Sequence, residues 1–257
     1  MTPSSLIITL CLATTASAFT NPAPVARVST VAHAGKADLE LAASKQGVPT
    51  SIFDPLGLAE LDFIEGSNDA TIAFLRHAEI KHGRVAMAAF VGYCVHAQGI
   101  VFPFDMTTAG DKFPSVADVG VPGLWDAIPE VAKWQIILFV GTLEWWSEVQ
   151  FEFDNDKAPH YLRGGRPGEF PSFEGVDGQF LPLNLFDPFG LSKKMSPEQS
   201  DKRLSMEINN GRAAMMGMAG FMSASKVDES VPFLAGKIAH YDGNYWAPFE
   251  ANFHMFQ

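Results

Sequence analysis

The sequence has few basic residues, and none of its candidate helices is an unbroken apolar run. Its 257 residues contain 18 Lys and Arg against 29 Asp and Glu, which gives a formal net charge of −11. This excess of acid argues against a nucleic-acid partner, because such partners select basic proteins. Apolar residues still make up 47% of the chain and the mean hydropathy is +0.07. These values favour a few membrane spans joined by long water-exposed loops.

One charged motif occurs twice, 128 residues apart. The segments 79–93 and 207–221 are identical at seven of fifteen positions. Each copy has Glu first, His82 or Asn210 three positions later, and Arg two positions after that. Both copies run directly into apolar helix-forming sequence, where an unpaired charge is costly. We therefore expect the two copies to neutralise one another.

The spacing within each copy indicates how they would pair. Successive helix residues turn by about 100°, so Arg84 lies roughly 140° around the helix from Glu79. Each Arg can reach the Glu of a neighbouring helix more easily than its own. A two-fold axis between the copies predicts the interhelix ion pairs Glu79–Arg212 and Glu207–Arg84.

A glutamate that is paired with an arginine can still bind a second partner. Each can bind an Arg through one oxygen and offer a lone pair from the other. His82 and Asn210 add an imidazole nitrogen and an amide oxygen, so each copy has donors suited to a hard divalent ion such as magnesium. One donor for each ion is too few for a metal site made by protein alone, but it suffices when a tetrapyrrole supplies four nitrogens. Glu79, His82, Glu207 and Asn210 are therefore predicted ligands of chlorophyll magnesium.

The duplicated motif resembles the first and third membrane helices of the light-harvesting chlorophyll a/b/c-binding proteins, which carry Glu-x-x-His-x-Arg and Glu-x-x-Asn-x-Arg. The resemblance covers most of the chain after about residue 50. The leader and the segments 167–173 and 183–190 are most similar to the fucoxanthin chlorophyll a/c antennae of diatoms and related algae. This implies an all-α membrane protein with three transmembrane helices. The first and third would cross as a pseudo-two-fold pair, with short amphipathic lumenal helices as an option.

The resemblance also implies weaker ligand candidates and pigment contacts. On the middle helix it points to Gln135 and Glu144, with Glu148 as an alternative to Glu144, and in the C-terminal tail to His240. His96, fourteen residues after His82, returns to nearly the same helix face and is a further candidate, with a water-facing histidine as its alternative. The family's helix-preceding turns, which contact xanthophyll, are matched by two segments: Phe53, Asp54, Pro55 and Phe186, Asp187, Pro188.

The N-terminus has the composition of a targeting leader. A short apolar run ends in Ala16-Ser17-Ala18, and the following segment has no acid before Asp38. The predicted divisions are a signal peptide at 1–18, a plastid transit-like segment at 19–45, and a single three-helix chlorophyll-binding domain at 46–257. Its helices are predicted at about 69–98, 128–149 and 196–226.

Family resemblance implies a non-enzymatic antenna without catalytic residues or a soluble substrate. It would bind chlorophyll a, chlorophyll c, fucoxanthin, and diadinoxanthin or a related xanthophyll, with metal present only as pigment-bound magnesium. Its partners would be a photosystem core (photosystem I in preference to photosystem II), other antenna subunits and thylakoid lipid. Basic residues in 150–206 and acids in 99–133 predict a stromal N-terminus and a lumenal C-terminus in the plastid thylakoid membrane. The alternative is a stress-type member that dissipates excitation as heat.

Two other classes share part of this pattern. Carboxylate di-iron enzymes use Glu-x-x-His pairs, but the second copy has Asn210, and an Arg beside each copy opposes cation binding. Transporters also combine internal repeats with intramembrane charge. Three spans, no interrupted helix and mutually neutralised charges argue against that class.

Overall fold

The computed structural model describes residues 35–45, 52–64, 68–153, 160–170, 189 and 195–249. Its α-helices are α1 (Lys36–Lys45), α2 (Asn68–Ala97), α3 (Val116–Ala127), α4 (Glu130–Phe153) and α5 (Pro197–Lys226). Short 3-10 turns lie at Leu58–Glu60, Tyr161–Arg163 and Pro232–Leu234. Across the described ranges, extended pairing is limited to one isolated bridge between Asp105 and Lys112. The prediction of an all-α chain is confirmed.

The long helices α2, α4 and α5 correspond to the predicted segments 69–98, 128–149 and 196–226. The largest differences are at the two ends of α4. It begins at Glu130 because Ile128 precedes a proline and is extended, with φ −75° and ψ 140°. It continues to Phe153, past the predicted end, because residues 150–153 contain no helix breaker.

Local hydrogen bonds set the starts of two helices. At α5, the Gln199 amide N–H donates to Ser196 Oγ (3.3 Å), and the Ser196 N–H donates back to Gln199 Oε1 (3.4 Å). This is a reciprocal capping box. At α3, Ser115 Oγ accepts the Ala117 N–H (3.3 Å). Gly120, with φ 70° and ψ 169°, then kinks α3. This short helix is additional to the three long helices predicted from the sequence.

Among the described residues, no helix combines the length and apolar character needed to cross a membrane. The helices differ in where their apolar side chains lie. Most large apolar side chains of α4 are exposed, namely Val131, Trp134, Ile136, Ile137, Leu138, Phe139, Val140 and Trp145. The helix α4 carries no copy of the repeated charged motif, whose two copies lie on α2 and α5.

The described chain forms two compact units. We call the described residues of 35–84 and 142–209 the polar unit, and those of 85–141 and 210–249 the aromatic unit. The helices α2, α4 and α5 contribute residues to both.

Stacked aromatic rings join α2 to α5 in the aromatic unit. Phe221 is 3% exposed, and its ring stacks on Phe90 and Tyr93 at centroid distances of 5.2 and 4.4 Å. A Cβ atom at Gly217 would lie 2.7 Å from the Phe90 ring. The absence of a side chain at Gly217 therefore lets the Phe90 ring approach the α5 backbone.

The segment 240–249 docks on the end of α5 within the aromatic unit. The Tyr241 amide donates to Ser225 O (2.9 Å), and the Tyr241 hydroxyl donates to Asp126 Oδ2 (2.7 Å). Lys226 donates to the Gly243 carbonyl and lies 5.0 Å from the centre of the Tyr241 ring. This combination of hydrogen bonds and a cation–π contact fixes the start of the C-terminal tail.

Candidate functional site

An ion pair between the two copies of the motif lies at the centre of the candidate site, in the polar unit. Arg84 Nε donates to Glu207 Oε1 at 2.5 Å, and Arg84 Nη1 donates to the Gly168 carbonyl at 2.6 Å. The Arg84 and Glu207 side chains are 37% and 31% exposed. Within the part of the chain that the structure describes, Glu207 Oε2 has no hydrogen-bond partner. One carboxylate oxygen is therefore neutralised while the other keeps its lone pairs.

His82 has a ring nitrogen with an available lone pair. Its Nδ1 lies 2.8 Å from the Ala78 carbonyl oxygen. A carbonyl only accepts hydrogen bonds, so Nδ1 carries the proton and Nε2 keeps its lone pair in the neutral ring. The side chain is exposed, and Nε2 has no partner among the described residues. This tautomer suits axial ligation of a metal through Nε2.

The remaining members of the motif occupy the middle of α2 and α5. Glu79 and Asn210 are half-buried and Arg212 is exposed. Gly83 and Gly211, which precede the two arginines, are both buried. The pairing of Glu79 with Arg212 stays a prediction, as do the ligand roles of Glu79 and Asn210.

The middle-helix candidates lie in different surroundings. Glu144 Oε2 accepts from Lys81 Nζ at 2.5 Å, although the Glu144 side chain is 52% exposed. Gln135 is exposed on α4. Glu144 thus resembles Glu207 in having a cation on one carboxylate oxygen, while Gln135 has no such partner among the described residues.

The two outlying histidines belong to the aromatic unit. The His96 ring stacks on Phe113 with centroids 5.7 Å apart. Its Nδ1 is buried and has no hydrogen-bond partner within the described ranges. His240 Nε2 lies 3.0 Å from Asp242 Oδ1, and the ring is about half exposed. When the Nε2 proton is hydrogen-bonded to Asp242, the lone pair of the neutral His240 ring lies on Nδ1. Nδ1 is then the nitrogen that can bind a metal.

The turn that carries Phe53, Asp54 and Pro55 is held by its aspartate. The Asp54 carboxylate accepts the amide protons of Leu58 (2.9 Å) and Ala59 (2.7 Å). These backbone donors lower the pKa of Asp54 below its usual value. Phe53 is 85% exposed, so the turn presents an apolar ring at its surface. The second turn, Phe186, Asp187 and Pro188, lies outside the described residues.

A polar cluster beside the ion pair was missed by sequence reasoning. We define the Glu148 cluster as His77, Lys81, Glu148, His160 and Tyr161. Glu148 Oε2 accepts from His160 Nε2 (2.9 Å) and from the Tyr161 hydroxyl (3.3 Å), and Glu148 Oε1 accepts from Lys81 Nζ (3.4 Å). Burial, together with the charge of Glu148, raises the pKa of Tyr161 to about 12, so its hydroxyl stays a donor.

The sequence predicts no site role for His77 or His160. The structure buries both rings, at 6% and 7% exposure, and His77 stacks on Tyr161 with centroids 4.0 Å apart. One feature of the sequence could have indicated this cluster: Lys81 lies one helical turn after His77, and a lysine on an apolar helix requires an acid nearby. The position of Lys81 alone did not show that Glu148 is this acid, because Glu148 is distant in sequence.

The donors fit pigment better than a bare ion. In the described residues, no group of three His, Cys, Asp or Glu side chains is arranged to hold a metal ion. Glu207 Oε2 and His82 Nε2 are single donors, each fixed by a hydrogen bond on the opposite side of its group. A centre that already has four equatorial ligands requires only such a donor.

These features define a helical protein in which Glu207 has one oxygen neutralised by Arg84 and His82 keeps an available ring nitrogen. Comparison with known proteins gives the particular family. The chain belongs to the chlorophyll A-B binding protein family, whose model matches residues 37–226. Membership of this family confirms the resemblance seen in the sequence and the prediction that the chain is not an enzyme.

The relatives include proteins from diatoms and a brown alga. The fucoxanthin-chlorophyll a-c binding protein of Trieres chinensis is 32% identical over 238 residues, covering 89% of this chain and 98% of the relative. Protein F of the same description from Phaeodactylum tricornutum is 32% identical over 183 residues, covering 71% and 78%. Protein B from Macrocystis pyrifera is 31% identical over 177 residues, covering 68% and 67%. All three are described as chloroplastic.

Proposed function

We propose that this protein is a light-harvesting antenna that binds chlorophyll a, chlorophyll c and fucoxanthin and transfers excitation energy to a photosystem. Diadinoxanthin or a related xanthophyll is a further pigment in this proposal. The names of the relatives, which specify fucoxanthin and chlorophylls a and c, support the pigment set. The observation that carries the proposal is the Arg84–Glu207 pair, which neutralises the glutamate and leaves Oε2 available.

The proposed pigment ligands are Glu207 through Oε2 and His82 through Nε2, together with Glu79 and Asn210. Bound chlorophyll supplies light absorption, and the chain fixes where each pigment lies. Gln135, Glu144, His96 and His240 are secondary ligands in this proposal. Glu144 is favoured among them because Lys81 neutralises one of its oxygens, as Arg84 does for Glu207.

The proposed location is the plastid thylakoid membrane, with α2, α4 and α5 as spans, the N-terminus in the stroma and the C-terminus in the lumen. The chloroplastic relatives support the plastid. The exposed apolar side chains of α4 support contact with lipid and pigment rather than water. The proposed partners are a photosystem core, photosystem I in preference to photosystem II, and other antenna subunits.

Refolding the chain with an algal pigment extract tests pigment binding. The wild type is expected to yield a green-brown complex, and Asn210→Ala a complex with fewer chlorophylls for each chain. Asn209→Ala is the matched control, because this neighbouring amide is exposed on α5 and occupies a position that the motif leaves variable. Equal loss in both variants, or a colourless wild-type product, contradicts the proposal.

Fluorescence lifetime separates harvesting from dissipation. An antenna that passes energy on should show a chlorophyll lifetime of nanoseconds when isolated, because no acceptor is present. A strongly shortened lifetime in the same detergent would favour the heat-dissipating alternative.

A further inference from the structure

The segment 160–170 contacts the candidate site through both backbone polar groups of one residue, the N–H and the C=O of Gly168. The Gly168 amide donates to His77 Nδ1 (3.0 Å), and the Gly168 carbonyl accepts from Arg84 Nη1 (2.6 Å). His77 and Arg84 are seven residues apart, about two helical turns, and so lie on one face of α2. Gly168 therefore bridges two side chains of the same helix, one of which also binds Glu207.

Only glycine suits this bridge. Gly168 has a φ of +79°, a backbone conformation that disfavours side chains. A Cβ atom there would lie 2.7 Å from Ile80 Cγ2 and 2.8 Å from Ile80 Cδ1. Gly168 is buried, so its amide and carbonyl both need partners. His77 and Arg84 supply them.

The hydrogen bonds fix the protonation of His77. Because the Gly168 N–H donates to Nδ1, that nitrogen carries no proton, and the neutral ring holds its proton on Nε2. Nε2 lies 3.8 Å from Glu148 Oε1. His160 adopts the same tautomer, because its Nδ1 accepts the Leu162 N–H (3.3 Å) while its Nε2 donates to Glu148. His77 Nε2 makes no hydrogen bond among the described residues, so the Gly168 N–H alone sets this tautomer of His77.

We propose that His77 and Gly168 are positioning residues for the ligand Glu207. His77 Nδ1 accepts the Gly168 N–H, and the Gly168 carbonyl accepts from Arg84 Nη1. Arg84 is thereby oriented so that its Nε donates to Oε1 of Glu207. Oε2 of Glu207 is then the oxygen available to a pigment. This inference rests on the proposed function and extends it to a segment that carries no pigment ligand of its own.

The first test uses refolded pigmented protein and four variants. Glu207→Ala defines the chlorophyll count and the visible circular dichroism that accompany loss of the ligand. His77→Phe keeps a ring of similar size against Tyr161 but removes the acceptor for Gly168. His77→Asn places an amide oxygen near the position of Nδ1 and should restore the bond. His160→Phe is the control, since it alters the Glu148 cluster without touching Gly168.

We expect His77→Phe to lose the same chlorophyll and the same dichroism bands as Glu207→Ala. His77→Asn should restore both, and His160→Phe should retain them. Hydrogen exchange of amides 160–170 in the pigmented protein should be about tenfold faster in His77→Phe than in His77→Asn, because the Gly168 amide loses its acceptor. A role limited to packing predicts no rescue by His77→Asn.

The outcomes separate the two proposals. A full chlorophyll count in Glu207→Ala contradicts the ligand role of Glu207 itself. Loss of a chlorophyll in Glu207→Ala but not in His77→Phe overturns the positioning inference and leaves the ligand role standing. Equal loss in His77→Phe, His77→Asn and His160→Phe also overturns it, because the acceptor atom would then not be the feature that matters.

Discussion

The two units join α2 to α5 by different chemistry. In the polar unit the contact is an ion pair, Arg84 with Glu207, supported by a backbone carbonyl. In the aromatic unit the contact is a stack of Phe90 and Tyr93 on Phe221. The ion pair is directional and leaves one carboxylate oxygen of Glu207 without a partner among the described residues, whereas the contact between the stacked ring faces is apolar. The comparison shows that α2 and α5 associate through a charged contact in one unit and an apolar contact in the other.

The largest expected effect comes from breaking the polar contact. Arg84→Leu leaves Glu207 without its cation and Gly168 without a donor to its carbonyl. We expect a loss of about 3 kcal/mol, the low end for a buried pair, because both side chains remain about one-third exposed. The yield of pigmented protein after refolding measures it. Arg84→Lys keeps the charge but not the forked donors and should fall between wild type and Arg84→Leu; wild-type yield in Arg84→Leu contradicts the assignment.

The aromatic contact is broken by adding one methyl group. In Gly217→Ala the new Cβ would lie 2.7 Å from the Phe90 ring, so we expect about 1–3 kcal/mol of destabilisation from overpacking. Thermal denaturation of the refolded complex measures it. Gly220→Ala on the same helix is the matched control, because no heavy atom lies within 4 Å of its Cβ. That change should be neutral or stabilising by up to about 1 kcal/mol. Equal behaviour of the two variants would show that Phe90 does not pack against Gly217.

A smaller effect is expected where the tail docks in the aromatic unit. Tyr241→Phe removes the hydroxyl that donates to Asp126 but keeps the ring beside Lys226. Hydrogen bonds to a charged acceptor contribute about 1.5–3 kcal/mol, and because Asp126 is only half-buried we expect a value near the lower end. The rate of limited proteolysis within the segment 240–249 measures release of the tail. Unchanged cleavage in Tyr241→Phe contradicts a docking role for this bond.

The smallest effect concerns the turn at Asp54 and depends on pH. The folded pKa of Asp54 is lowered by the amides of Ala59 and Leu58, so its stabilisation is present above the ordinary value near 3.8. That stabilisation is lost as the pH falls through the folded pKa. Asp54→Asn should therefore lower thermal stability at pH 7, and the difference from wild type should shrink as the pH falls below 3.8. Helix content by circular dichroism reports this independently of pigment colour; a difference that does not change with pH would contradict it.

Much of the fold follows from local sequence. Ser196 and Gln199 indicate the start of α5, because a capping box involves only four consecutive residues. The turn at Asp54 is predicted from its resemblance to the family's helix-preceding turns. The helices α2 and α5 follow from the duplicated motif and its apolar continuation, with errors of one residue at their ends, whereas α4 carries no copy of the motif.

The sequence alone predicts only part of the candidate site. The juxtaposition of Arg84 and Glu207 follows from charge, because each needs an opposite partner in an apolar stretch. Lys81 needs a partner by the same argument, but two acids on α4 were available, and the register of α4 decides that it contacts both Glu144 and Glu148. The Gly168 bridge could not be foreseen, since it uses backbone atoms and a positive φ in a loop more than eighty residues from Arg84.

Cryo-microscopy of the pigmented protein, at a resolution that shows axial ligands, tests the central claim most directly. We predict a chlorophyll magnesium bound by the Glu207 oxygen that Arg84 leaves unpaired, and a second bound by His82 Nε2. A pigmented structure in which Arg84 and Glu207 are paired but no tetrapyrrole lies within bonding distance of either donor would contradict the account.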